Sequence, residues 1–137
     1  MDTKCVIKII MNSPPNSNSS HIKLYDLQLV IQMCRGNDEQ VLKMVEVFID
    51  QISQSIKEIE TAYFQSDFLK IKSLAHKIKP LFTYFGTSKL EKEFILAEVL
   101  LSKEIISSEL ELKIINLSLI AKEVISEMKN DFNIAYE

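Results

Sequence analysis

His76 stands in a run of lysines, Lys70, Lys72, Lys77 and Lys79, with Asp67 the only acidic residue close to it in the sequence. A neutral imidazole nitrogen is a competent nucleophile near neutral pH. A phosphoryl group taken up there would bring nearly two negative charges. A lysine one helical turn away would stabilise both that product and the charged oxygens in transit. Lys79, three residues on, is best placed for this, and Lys72, four residues back, is second. The plainer alternative is a solvated face carrying one ordinary histidine.

Other chemistry is poorly served. Gly36 and Gly86 are the only glycines, so no glycine-rich phosphate loop or dinucleotide fingerprint exists. A metal bundle of the Glu-x-x-His type would need a glutamate three residues before a histidine, where Ser73 and Asn18 stand instead. A Ser-His-Asp hydrolase would need a shaped pocket that a glycine-poor helical chain offers poorly. His21 falls in a polar stretch and is expected to be solvated. Cys5 and Cys34 have no metal-ligand or redox spacing and read as reduced thiols.

The net charge of −3 makes nucleic acid a poor expected partner. The apolar run at residues 6–11 is too short for a membrane helix and is split by Lys8. It also lacks a signal-peptide cleavage pattern, so the expected location is the cytoplasm.

The elements that must position His76 read as helices. Residues 12–20 are Asn, Ser and Pro, including Pro14 and Pro15, so residues 1–20 are expected to be a tail or linker and 21–137 the folded domain. A short first helix is expected over about residues 25–34, ended by Gly36, with Asn37 or Asp38 capping the next. The second, about 39–64, carries Leu42, Val45, Ile49, Ile52, Ile56, Ile59 and Tyr63 in steps of three and four. The third, about 67–85, carries Phe68, Ile71, Ala75, Ile78, Phe82 and Phe85. Gly86 ends it, and Thr87 or Ser88 is expected to cap the fourth, with Leu90, Phe94, Ala97 and Leu101 inward. A last helix over about 109–131 is expected to bury Leu112, Ile115, Leu119, Val124 and Met128. The fold class is all-α, an up-and-down four-helix bundle with a short additional N-terminal helix. At about 100° per residue, His76 lies about 140° from the centre of its apolar stripe and should face water.

Ala75-His76-Lys77-Ile78-Lys79-Pro80, with Gly86 ten residues after the histidine, resembles the histidine phosphotransfer (HPt) domain family. That family carries a pattern like A-H-x-L-K-G followed by such a glycine. Ala75, His76, Ile78, Lys79 and Gly86 match in register. So do the break at Gly36-Asn37-Asp38, the run Val47-Phe48-Ile49 and Leu90, and the similarity covers about residues 24–105. The resemblance implies a phosphocarrier of a two-component phosphorelay with no autokinase activity. It implies that His76 is phosphorylated and that Lys79 stabilises the phosphate; Lys72, Pro80 and Gly86 are read as supporting residues of the site. The implied partners are response-regulator receiver domains and a hybrid histidine kinase, with Mg²⁺ held by the receiver, so no metal and no cofactor of this chain is expected. A monomer is expected because the long helices find enough partners within the chain.

The family has a small residue where this chain has Pro80. Proline offers no N–H to the His76 carbonyl and crowds it, so a local kink or loosened turn is expected at the site. Leu69 lies about 20° from His76 around the helix and could form a small docking spot with Pro80, flanked by Ser73 and Thr83, or could pack under the first helix. Leu29 and Gln32 of the first helix either continue that patch or belong to the core. The alternative function is a degenerate interaction module that binds receivers or another protein without transferring phosphate.

Overall fold

A computed structural model describes residues 23–134 of the 137-residue chain. The expectations for residues 1–20 and for His21 and Cys5 lie outside the described residues. Among those described, the fold is all-helical and without strands. The helices are α1 (Gln28–Met33), α2 (Asp38–Phe64), α3 (Phe68–Tyr84), α4 (Ser88–Leu101) and α5 (Ser108–Phe132).

The four long helices close a ring of contacts, α2 with α3, α3 with α4, α4 with α5 and α5 with α2, while α1 rests on α2. The connections are short, so neighbours run antiparallel. Two contacts fix those directions. Phe48 in the first half of α2 lies tilted against Phe85 past the end of α3, with centroids 4.4 Å apart. The Tyr63 hydroxyl at the end of α2 donates to the Ser107 carbonyl before α5, at 3.2 Å. The apolar stripes of α2, α3 and α4 point into the ring as their spacing requires, with Phe48, Ile52, Ile71, Ile78, Phe82, Leu90 and Phe94 fully buried. Phe82 and Phe94 meet edge to face across α3 and α4 at 4.9 Å.

The expected stripe of α5 is corrected in its first half. Leu112, Ile115 and Leu119 are 60%, 45% and 53% exposed, whereas Leu110, Ile114, Leu117, Ala121, Val124 and Met128 are buried. Both sets obey three-and-four spacing, because this helix carries apolar residues on two opposite faces.

The helix ends follow local chemistry. Asn37 caps α2 by accepting from the Gln40 N–H at 3.1 Å, Asp67 caps α3 through Lys70, and Ser107 caps α5 through Leu110. Asn37→Ala should lower unfolding stability by about 1 kcal/mol, read from the denaturation midpoint at unchanged slope. Thr87 stands at the start of α4 but does not cap it. Its buried hydroxyl turns back and donates to the Phe82 carbonyl at 3.0 Å, satisfying the end of α3 instead.

The first helix is shorter than its apolar pattern suggests, because residues 23–27 form a strap across one end of the ring. The Leu24 N–H donates to Glu127 at 3.0 Å, the Tyr25 hydroxyl donates to Asp131, and the Asp26 N–H donates to the Phe85 carbonyl at 3.0 Å. Burial and the Asp131 carboxylate hold the Tyr25 phenol far above its ordinary pKa. Gly86 makes the strap possible. Its φ is +62°, and a Cβ there would lie 2.6 Å from the Asp26 Cβ and carbonyl oxygen.

Candidate functional site

His76 sits in the middle of α3, exposed, on the face turned away from Ile71, Ala75, Ile78 and Phe82. Its ring makes no hydrogen bond or ion pair with any described residue, so a nitrogen is available to an incoming group. Phe82, which could have covered it, is fully buried against Phe94.

Pro80 lies inside α3, and the helix runs on across it to Tyr84. The His76 carbonyl still loses the i+4 donor that any other residue would supply. The proline is exposed on the same outer side, as are Ser73 and Leu69, the latter 79% exposed. Leu69 therefore does not pack under α1. Phe64, at the end of α2 and 80% exposed, adds a second apolar side chain where α2 gives way to α3. On α1, Leu29 and Gln32 are both exposed.

The lysines are less free than their sequence neighbourhood suggests. Lys79 pairs with Glu98 of α4 at 2.8 Å, and Lys72 pairs with Glu104, in the connection after α4, at 3.0 Å. Thr83 donates to Glu91 of α4 at 2.6 Å. Lys72, Lys79 and Thr83 all lie on the edge of α3 facing α4, so that helix and its following turn line the edge with carboxylates. Sequence reasoning missed Glu91, Glu98 and Glu104. A signal was present, because Glu91 and Glu98 are seven residues apart and share a face of α4. Among the described residues Lys70 and Lys77 carry no such pair.

The pairs are weak clamps. The side chains of Lys79 and Glu98 are 46% and 32% exposed, and ion pairs at such sites are worth at most about 1 kcal/mol. A dianionic group on His76 would compete for Lys79 on favourable terms, since it offers more charge than one carboxylate. Imidazole and ammonium one turn apart can thus serve as a nucleophile with a movable counter-charge.

Gly86 does not face this chemistry; it seats the strap at Asp26. Cys34 is buried as a free thiol, with its sulfur 3.4 Å from that of Met44. Among the described residues no group of His, Cys, Asp and Glu could hold a metal ion, and no helix is long and apolar enough to cross a membrane. No family model, no curated protein and no solved structure matches the chain.

Proposed function

We propose that the chain is a histidine phosphocarrier built as an up-and-down four-helix bundle with a short N-terminal helix. It would exchange a phosphoryl group with aspartates of receiver domains in a cytoplasmic phosphorelay fed by a hybrid histidine kinase. The observation that carries this reading is the exposed, uncommitted imidazole of His76 flanked by Lys72 and Lys79. In the step proposed, an unprotonated nitrogen of His76 attacks the phosphorus of an aspartyl phosphate. The P–O bond to the aspartate breaks, a carboxylate leaves, and the other ring nitrogen gives up its proton to water. Lys79 swings from Glu98 to the phosphoryl oxygens. Mg²⁺ would belong to the acidic pocket of the receiver. Leu69, two turns before His76 on the same side of α3, suits the apolar part of a docking surface.

The test is incubation of the full chain with a receiver carrying a labelled aspartyl phosphate. Acid-labile label on the chain is the expected result. A panel of receivers that bind the chain but never label it would favour the other reading, a docking module without transfer. That reading has its own support, because Lys72 and Lys79 are both already paired and Pro80 occupies the site.

Lys79→Ala should slow transfer about tenfold without unfolding the bundle, the loss expected for one partly solvated cation at a transferring phosphoryl group. Glu98→Gln should speed transfer, because it frees the same ammonium. Equal rates in the wild type and both variants would remove Lys79 from the mechanism.

A further inference from the structure

The outer ridge of α5 is an apolar surface that the ring of helices leaves uncovered. Leu112, Ile115 and Leu119 follow one another in steps of three and four on its solvent side, each about half exposed. A groove lined by Leu24, Leu119, Lys122, Glu123 and Glu127 leads onto the ridge from the strap. The described chain begins at this groove. Lys23 pairs with Asp131 at 2.6 Å and the Leu24 N–H is held by Glu127, so whatever precedes Lys23 emerges beside the second half of α5.

The preceding sequence contains one apolar cluster, Val6, Ile7, Ile9, Ile10 and Met11, joined to the strap by the polar residues 12–20. We propose that residues 6–11 fold back along the groove and dock on the Leu112–Ile115–Leu119 ridge of their own chain. The lengths agree. At about 1.5 Å per helical residue, Leu119 lies about 12 Å and Leu112 about 22 Å along α5 from Glu127. The twelve steps from Met11 to Lys23 span at most about 40 Å, more than the distance to either end of the ridge. The tether places the cluster over the ridge at high effective concentration, which a separate partner lacks.

Charge agrees as well. Lys4 and Lys8 outnumber the one acid, Asp2, around the cluster, while the exposed side of α5 carries Glu109, Glu111 and Glu123 against one lysine, Lys122. Docking buries aliphatic side chains on both partners, the principal favourable term for so short a segment. It leaves His76 open, because α3 packs against α2 and α4 rather than α5.

The test uses the full chain carrying Cys34→Ala, so that Cys5 is the sole thiol and takes a nitroxide label. The amide resonances of Leu112, Ile115 and Leu119 should lose most of their intensity relative to the reduced label, and those around His76 should keep theirs. Ile115→Lys with Leu119→Lys, both at exposed positions, should restore the intensity at unchanged melting temperature. Full intensity along α5 in the parent chain, or broadening that survives the double substitution, would overturn the proposal. So would equal broadening when spin-labelled chains are mixed with isotope-labelled chains that carry no nitroxide, since a second copy would then be the occupant.

Discussion

His76→Gln should abolish acid-labile labelling by a phosphorylated receiver and leave unfolding stability within about 0.5 kcal/mol of the parent chain. The two halves of this expectation rest on different observations. The side chain is exposed and holds no hydrogen bond with any described residue, so its replacement leaves none of them without a partner. Glutamine keeps polarity and approximate length but has no nucleophilic nitrogen, because its amide lone pair is delocalised. The ion pairs of Lys72 and Lys79 do not pass through the imidazole and should persist. Label retained by the variant would move phosphorylation elsewhere. Retention of receiver binding without label, in a variant as stable as the parent, would separate docking from transfer at a single residue.

The orientation of His76 was legible from sequence because it depends on a local period. Ile71, Ala75, Ile78 and Phe82 define a buried face, and the histidine cannot share it. The stripes of α2, α3 and α4 were legible for the same reason. The first half of α5 was not, since Leu112, Ile115 and Leu119 satisfy the period as well as Leu110, Ile114 and Leu117 do. Which set turns inward is settled by the neighbouring helices. The Glu93–Lys113 pair, at 2.8 Å, accompanies that rotation, with Lys113 toward α4. The strap was equally invisible, because Leu24, Tyr25 and Asp26 find their partners about sixty to over a hundred residues away. The carboxylates beside the site share this origin. Glu98 and Glu104 meet Lys79 and Lys72 only once α4 lies antiparallel to α3, so a basic segment in sequence becomes a nearly neutral edge in the fold.

Gly86 shows the same gap between motif and cause, and it carries the largest expected loss of stability. In sequence its spacing from His76 suggested a part in the site. In the structure two demands meet at this residue, and neither involves the imidazole. Its φ of +62° is reached at little cost only by glycine, and the Asp26 backbone lies within 2.7 Å of the place a Cβ would take. The clash is with backbone and with the Asp26 Cβ, neither of which can rotate aside. Relief would require lifting the strap, which breaks the Asp26–Phe85 hydrogen bond and draws Tyr25 and Leu27 out of the core. Gly36 provides the control, because its φ of +74° imposes the same conformational demand with nothing within 4 Å of the added carbon. Gly36→Ala should therefore cost about 1 kcal/mol, the backbone term alone. Gly86→Ala should cost about 3 kcal/mol or more, because it adds lost burial and a broken hydrogen bond to that term. In thermal unfolding the second variant should melt several degrees below the first. Equal melting temperatures would mean that the strap yields freely and that the close approach of Asp26 contributes little. A Gly86→Ala chain that still accepts phosphate below its melting point would place this glycine in the scaffold and outside the chemistry of His76.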